Sequence, residues 1–169
     1  AGRDEVESRT VTRDRGRWRV RTGPFGRRDL TRLPASGWTL LVQGVDHMLA
    51  QAARLLQEFS FIPYARLDDV MVSYAVPGGG VGPHFDSYDV FLVQGSGKRR
   101  WRVSSQSDLE LAPDAELKIL QQFTPQDDWV LEPGDLLYLP PQWAHDGVAI
   151  GECITYSIGF RAPLAQELG

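Results

Sequence analysis

The sequence predicts a mainly β domain folded as a jelly roll or barrel. After residue 69, short apolar segments are separated by turns rich in Gly and Pro, which is typical of antiparallel β architectures. The chain has 169 residues, enough for one domain with a sizeable core. It contains no internal repeat that would indicate a solenoid or a propeller.

The first 66 residues are expected to flank the barrel and pack against it. Residues 17–22 alternate between charged and apolar side chains, which predicts an edge strand, and residues 38–43 predict a second strand. Apolar residues then recur at helical spacing from Asp46 to Phe61, so a helix is expected there, with Asp46 as its N-cap and Pro63 beyond its end.

The β core is expected to span residues 67–163, with residues 164–169 beginning a C-terminal region. Gly95-Ser96-Gly97 favours a hairpin between two of its strands. That hairpin would place Phe91 and Val93 on the same face as Arg99, and it requires an irregular turn around Ser87 and Tyr88. The predicted strands cover residues 70–76, 89–94, 98–103, 129–132, 136–139 and 153–160.

Composition excludes several classes of protein. No apolar stretch approaches the roughly 18 residues that a membrane span needs. Cys153 is the only cysteine, which excludes an internal disulfide framework and a cysteine-rich zinc site, so we expect a cytoplasmic protein. The sequence also lacks the Gly-Lys motif of a phosphate-binding loop and the GxSxG motif of hydrolases.

Charge is distributed unevenly along the chain. Residues 1–32 hold ten Arg and five acidic residues, whereas residues 33–169 hold eight basic and seventeen acidic residues. The acidic main body argues against a phosphate-binding surface and suits a basic partner. We therefore expect no direct binding of nucleic acid. Solvated surface charge is the alternative interpretation.

Two of the three histidines indicate a metal site. His84 and Asp86 are two residues apart, so both project from the same face of an extended segment. His145 follows later among the predicted strands. Two imidazoles and one carboxylate are the ligand set of a facial iron triad, which leaves coordination positions open. A His-x-Asp tripeptide alone is weak support, because surface His–Asp pairs are common.

Arg99 is the second indicator of a ligand site. Alternation along residues 98–103 places Arg99 on the same face as Trp101 and Val103, so its guanidinium points into the core. A buried guanidinium needs a carboxylate partner. Asp89 could supply it in an internal salt bridge, or the carboxylate could belong to a ligand.

Longer motifs around these residues resemble the bacterial JmjC-type ribosomal oxygenases. The resemblance covers most of the chain and is dense from Asp68 to Pro163. It is carried by residues 68–73, 76–91, 94–103, 131–141, 145 and 156–163.

The resemblance implies a double-stranded β-helix, the cupin-like form of the jelly roll, and an Fe(II)- and 2-oxoglutarate-dependent protein hydroxylase that uses O2. By position, His84, Asp86 and His145 would bind the metal, and Arg99 would bind the distal carboxylate of 2-oxoglutarate. The implied substrate is an arginine of large-subunit ribosomal protein L-sixteen, hydroxylated at its β-carbon. Asp89 and Asp108 are candidates to contact that arginine.

The chain departs from the family pattern at two places. Thr155 stands where the family is expected to carry an amide side chain near the cofactor. Family members also continue beyond the barrel with a helical dimerisation region and a winged-helix domain, whereas this chain stops at Gly169. The resemblance therefore allows a homodimer only through regions outside this sequence.

Three alternatives remain at this point. The first is a histidine hydroxylase or lysine demethylase of the same class. The second is a cupin-like zinc or nickel protein without 2-oxoglutarate chemistry, which would not need an inward Arg99. The third is a non-catalytic binding module with a vestigial site.

Overall fold

A computed structural model describes residues 6–14, 16–113 and 115–161. Within these residues the chain forms ten β-strands, two α-helices and two short 3₁₀ turns, at Val45–His47 and Tyr64–Arg66. The helices are α1 (Arg27–Thr31) and α2 (Ala50–Gln57). The strands are β1 (Ser8–Asp14), β2 (Arg17–Thr22), β3 (Trp38–Val42), β4 (Leu67–Ala75), β5 (Val90–Ser96), β6 (Arg99–Ser104), β7 (Asp127–Leu131), β8 (Leu136–Leu139), β9 (Ala144–Ala149) and β10 (Cys153–Phe160).

The strands form two antiparallel sheets. The major sheet has the order β2-β1-β3-β4-β10-β5-β8, and the minor sheet has the order β7-β6-β9. An isolated antiparallel bridge between His84 and His145 adds a fourth position to the minor sheet beside β9. This arrangement confirms the predicted mainly β, jelly-roll fold. The strands that precede residue 67 extend the major sheet through the pairing of β3 with β4.

The space between the two sheets holds an apolar core. Val90 and Leu92 of β5 face Trp101 and Val103 of β6, and Leu131 and Leu139 complete the cluster. Their burial between the sheets removes apolar surface from water and holds the sheets together. The inner side of β6 is the face predicted for Arg99, which is 5% exposed.

Helix α2 covers the outer face of the major sheet. Ala52, Leu56 and Phe59 pack against Val70 and Ile158. The helix is shorter than predicted because Asp46 does not cap it. The Asp46 carboxylate instead accepts a hydrogen bond from the backbone N–H of Val70 at 2.9 Å, and α2 begins after Leu49.

The predicted hairpin around Gly95-Ser96-Gly97 is wrong. Strand β5 pairs with β10 and β8 in the major sheet, whereas β6 pairs with β7 and β9 in the minor sheet. The glycine-containing segment therefore carries the chain from one sheet to the other. Because of this crossing, Phe91 and Val93 lie on the outer face near α2, opposite to the inward face of Arg99.

The predicted turn around Ser87 and Tyr88 is confirmed as a bend at both residues. Strands β1 and β9 and helix α1 were not predicted. Strand β9 has no period-2 alternation, because four successive residues from Ala144 are all buried. The described residues contain no helix long and apolar enough to cross a membrane. The predicted C-terminal region, residues 164–169, lies outside the described residues.

Candidate functional site

Two segments distant in sequence bring His84, Asp86 and His145 together. Each residue offers one ligand atom, and these atoms all lie within 4.8 Å of one another. The two imidazole rings have centroids 4.2 Å apart, and the Asp86 carboxylate lies 3.7 Å from Nε2 of His145. His145 is buried, while His84 and Asp86 are half-buried, so the cluster is partly accessible to solvent.

The glycine-rich segment before His84 fits closely against β9. A Cβ on Gly80 would lie 2.6 Å from the carbonyl oxygen of Gly147, so only glycine allows this approach. Gly82 has a φ of +81°, in the left-handed region that favours glycine. The run of glycines therefore seats His84 directly beside the strand that carries His145.

Backbone carbonyl groups orient both imidazole rings. Nδ1 of His84 lies 2.9 Å from the carbonyl oxygen of Gly82, and Nδ1 of His145 lies 2.9 Å from that of Trp143. A carbonyl oxygen only accepts, so each Nδ1 carries the proton and donates it. Each Nε2 is then an unprotonated nitrogen available to a metal, the usual arrangement of histidine ligands.

Burial controls the protonation of the cluster. It lowers the pKa of His145 to about 3, with a further contribution from the nearby His84. Burial also raises the pKa of Asp86, and the attraction of His84 offsets part of that rise. The neutral imidazole of His145 is the form that binds a metal. A cation placed among the three side chains would favour the ionised Asp86.

Arg99 lies deep between the sheets without a protein partner for much of its guanidinium. Its Nε and Nη2 are buried, and their N–H groups donate to no acceptor among the described residues. Asp89, one of the two alternatives considered as partner, instead accepts a hydrogen bond from the Tyr138 hydroxyl at 2.7 Å and lies 3.5 Å from Arg66. The internal salt bridge between Arg99 and Asp89 is therefore absent.

Trp101 lies between the metal-ligand cluster and Arg99, and the sequence did not single it out as a functional residue. Its ring centroid is 5.9 Å from that of His145 and 5.7 Å from the Arg99 guanidinium carbon. The buried indole N–H of Trp101 also has no acceptor among the described residues. Two side chains therefore direct unpaired donors into the interior beside the candidate metal site. Alternation placed Trp101 inside, but nothing in the sequence indicated that its N–H lacks an acceptor.

Thr155 is also buried on the inner side of the major sheet. Its hydroxyl donates to Oε1 of Gln94 at 3.0 Å, and the Gln94 amide donates to the backbone carbonyl of Ser96 at 2.8 Å. The side-chain amide of Gln94, on the neighbouring strand, thus supplies the acceptor for the Thr155 hydroxyl. Cys153 is buried beside Ala75 and Ala149.

Asp108 lies in the long connection between β6 and β7. Its carboxylate accepts a hydrogen bond from the backbone N–H of Glu110 at 3.1 Å. Asp89 is similarly engaged with Tyr138 and Arg66. Both candidates for contact with a substrate arginine therefore have local partners, and their role in recognition stays a prediction.

Comparisons with known proteins match the sequence and the fold of this chain. A family model for the JmjC domain matches residues 54–168. The ribosomal protein uL16 3-hydroxylase of Escherichia coli is 46% identical over 165 residues, which cover 97% of this chain and 44% of that protein. A probable ribosomal oxygenase of Haemophilus influenzae is 42% identical over 154 residues, covering 89% of this chain and 38% of that protein.

A solved structure of the Escherichia coli ribosomal oxygenase YcfD, in complex with cobalt and 2-oxoglutarate, superimposes with a TM-score of 0.86 and 44% identity. The match covers 98% of this chain and 43% of that chain. The present chain thus spans less than half the length of the curated relatives it matches. With a family model matching more than half of its residues, the chain belongs to the JmjC domain family.

Proposed function

We propose that this chain is the catalytic domain of an Fe(II)- and 2-oxoglutarate-dependent protein hydroxylase. One observation carries the proposal: a His-Asp-His cluster and an unpaired, buried arginine face the same interior. The cluster suits a metal that keeps open positions, and the arginine suits a carboxylate ligand. Membership of the JmjC family and the cobalt and 2-oxoglutarate complex of the relative YcfD support the same combination.

The three protein ligands fit iron. His84 and His145 present unprotonated Nε2 atoms, and Asp86 presents a carboxylate oxygen from the same side. Two histidines and one carboxylate leave coordination positions for substrate and oxygen, which is the arrangement of non-haem iron oxygenases. A structural zinc site would be closed by a fourth protein ligand, and among the described residues the cluster has three.

Arg99 fits the distal carboxylate of 2-oxoglutarate. Leaving a guanidinium buried without an acceptor is costly, and a carboxylate that accepts two of its N–H groups removes that cost. This need for a ligand also argues against a cupin-like zinc or nickel protein and against a vestigial module. Neither a zinc or nickel protein of this fold nor a vestigial module would require an unpaired guanidinium inside the barrel.

When bound, iron and 2-oxoglutarate supply the oxidation: one oxygen atom of O2 enters a substrate C–H bond, and the other enters the succinate that forms as CO2 leaves. The protein's residues bind and orient. His84, Asp86 and His145 hold the metal on one side, and Arg99 fixes the far end of the cosubstrate. Trp101 lies between the metal ligands and Arg99.

We infer that the substrate is an arginine of ribosomal protein uL16 (L-sixteen), hydroxylated at its β-carbon. The relative named as a uL16 3-hydroxylase aligns with 97% of this chain. Relatives named as lysine-specific demethylase and histidyl-hydroxylase align with only about 41% of it. They therefore support a histidine hydroxylase or lysine demethylase less strongly than the first relative supports an arginine hydroxylase. The net charge of residues 33–169 also suits a basic substrate.

The test is mass spectrometry of an arginine-containing uL16 peptide incubated with the protein, Fe(II), 2-oxoglutarate and air, with succinate measured in parallel. We expect one added oxygen on the arginine and an equal amount of succinate. Oxidation of a histidine instead of the arginine would show that the target residue is a histidine and would overturn the proposed substrate. No succinate from folded, iron-loaded protein would overturn the hydroxylase proposal itself.

A cytoplasmic location and a homodimer through regions outside this chain belong to the same proposal. The location follows from a ribosomal-protein substrate, which is made in the cytoplasm. The dimer rests on the resemblance described above.

A further inference from the structure

A large cavity lies on the side of the minor sheet that faces away from the metal-ligand cluster. Its volume is about 1000 Å³. Its floor is formed by Arg102, Asp146 and Val148 of the minor sheet. Residues 13 and 16–19, of β1, β2 and the turn between them, also line it, together with residues 112–113, 115–116, 119–121 and 123 between β6 and β7. The volume lies at the upper end of the roughly 300–1,000 Å³ found for ligand sites.

The cavity is separate from the interior that holds Arg99 and His145. Along β6 and β9, successive side chains point to opposite faces, so Arg102 and Asp146 point away from the side on which Trp101 and His145 lie. The two sites nevertheless share a strand, since Asp146 directly follows His145. A ligand in the cavity would lie on the opposite face of the strand that carries His145.

Arginines dominate the charge of this cavity. Among the described lining residues, Arg13, Arg17, Arg19 and Arg102 face two carboxylates, those of Glu116 and Asp146. Asp146 is paired with Arg102. Glu116 lies 3.6 Å from Arg19 and accepts a hydrogen bond from the backbone N–H of Val20.

Each carboxylate thus already has an arginine partner. Arg13 and Arg17 form no salt bridge with any of the residues that the structure describes. They leave the described lining of the cavity with excess positive charge, which suits an anionic ligand.

Two aromatic rings line the same cavity and lie beside its arginines. The Arg13 guanidinium carbon is 5.4 Å from the centroid of Trp18, and that of Arg102 is 6.0 Å from the centroid of Phe123. Trp18 is held firmly, because Gly82 packs against its ring so closely that a Cβ there would lie 2.9 Å from Cζ2. The walls therefore combine guanidinium groups with fixed aromatic faces.

We propose that this cavity binds a nucleotide of single-stranded RNA, with phosphate contacting Arg13 and Arg17 and a base stacking on Trp18 or Phe123. Arginines that follow a phosphate backbone, combined with aromatic faces for the bases, are the general chemistry of single-strand recognition. The proposal does not depend on the hydroxylase activity. It departs from the expectation of no nucleic-acid contact, which rested on the acidic main body, because residues of the basic N-terminal hairpin line the cavity.

The test is fluorescence anisotropy of a fluorescein-labelled oligouridylate titrated with the protein at about 50 mM and about 200 mM salt. The wild-type protein is expected to bind with a Kd that rises steeply with salt. Replacing both contacts, Arg13→Ser with Arg17→Ser, is expected to raise the Kd about tenfold or more at low salt and to reduce the salt slope by about 1.4, since each phosphate contact on a single strand is worth about 0.7. The matched control is Arg27→Ser with Arg28→Ser, which removes two exposed charges from α1 outside the cavity and is expected to change the Kd far less.

A crosslinking readout locates the RNA directly. A 4-thiouridine oligonucleotide is expected to crosslink to Trp18 or Phe123, identified by peptide mass spectrometry. The proposal is overturned if the oligonucleotide does not bind at low salt, or if the two double variants weaken binding equally, since that would indicate diffuse attraction. If uridine monophosphate competes with an affinity equal to that of the oligonucleotide, the ligand is a mononucleotide and not RNA. If polyglutamate does so, the ligand is an acidic protein.

Discussion

His84 and His145 are joined through their backbones as well as through the site that they form. The N–H of His84 donates to the carbonyl oxygen of His145 at 3.0 Å, and the N–H of His145 donates to the carbonyl oxygen of His84 at 2.8 Å. This reciprocal bridge fixes the separation of the two imidazoles before any metal binds. The cluster is therefore preorganised. The segment that carries His84 and the strand that carries His145 are expected to unfold together.

The contribution of His145 to the stability of the metal-free protein is expected to fall as the pH falls from 7 to 5. Burial lowers the pKa of His145 to about 3, below the value near 6.5 of an unfolded histidine. The unfolded state therefore binds the proton more readily. The contribution of the neutral His145 to the free energy of unfolding is fully present above pH ~6.5 and is lost as the pH drops toward ~3. Between pH 7 and 5 this lowers the free energy of unfolding by ~2 kcal/mol.

Chemical denaturation of the chelator-treated protein at several pH values measures this effect. The His145→Gln variant lacks the titrating imidazole and should show a shallower decline over the same interval. Parallel declines in the two proteins would assign the pH dependence to other groups.

Arg99→Met is expected to stabilise the ligand-free protein while abolishing its cosubstrate site. Methionine fills much of the same volume without a buried charge that lacks an acceptor. Thermal unfolding without ligand should rise, by roughly 2–4 °C for each kcal/mol gained. Calorimetric binding of 2-oxoglutarate to the metal-loaded variant should weaken about 100-fold or more, as expected for loss of a charged, bidentate contact. A lower melting temperature combined with unchanged 2-oxoglutarate affinity would contradict the role given to Arg99.

Trp101→Phe is expected to weaken 2-oxoglutarate binding about tenfold. The indole N–H has no acceptor among the described residues, so we expect it to donate to the cosubstrate, and phenylalanine removes this donor while keeping an aromatic ring. Trp129→Phe is the matched control. Trp129 is the direct cross-strand partner of Trp101 but is 43% exposed, so its replacement should leave the affinity unchanged. Equal affinities in all three proteins would show that the Trp101 N–H does not contact the cosubstrate.

Gly147→Ala is expected to disturb the position of Trp101. A Cβ at Gly147 would lie 2.6 Å from Cζ3 of the Trp101 ring, whereas a Cβ at Gly151 meets nothing within 4 Å. Overpacking of this kind costs about 1–3 kcal/mol, so Gly147→Ala should lower both the stability and the affinity for 2-oxoglutarate. Thermal unfolding and calorimetry of the two alanine variants provide the comparison. If Gly147→Ala behaves like Gly151→Ala, the ring has room to move and the packing argument fails.

Strand positions were predictable from sequence where one face of a strand is apolar. Strand β8 and strand β10 have the predicted bounds, and the alternation around Arg99 correctly placed its side chain inside. Strand β9 gave no such pattern, since its first four residues are all buried. It was therefore missed even though it carries His145.

Pairing between elements was less predictable, because local turn signals do not reveal which sheet a strand joins. The Gly95-Ser96-Gly97 segment has the residues of a hairpin turn, yet it connects two different sheets. The Asp46 carboxylate similarly suited a helix cap, but the backbone N–H of Val70 uses it instead. Both errors come from contacts made far along the chain.

The candidate site was predictable where side chains carry the chemistry. Residue type, spacing and family resemblance singled out His84, Asp86, His145 and Arg99. The structure brings the first three together and buries Arg99, and their roles stay a prediction. The carbonyl oxygens of Gly82 and Trp143, which orient the two imidazoles, could not be found in the same way. Every residue has a carbonyl group, so only the folded backbone shows which of them accept these hydrogen bonds.

The most direct test of the account is calorimetric titration of 2-oxoglutarate into the protein with and without Mn(II), in the absence of oxygen. The wild-type protein should bind one 2-oxoglutarate per chain only when the metal is present. His47→Ala, which changes the exposed histidine outside the cluster, should behave identically. Asp86→Ala should fail to bind 2-oxoglutarate under the same conditions. Binding that is unaffected by Asp86→Ala or by removal of the metal, or no binding by the metal-loaded wild-type protein, would contradict a metal-dependent cosubstrate site at these residues.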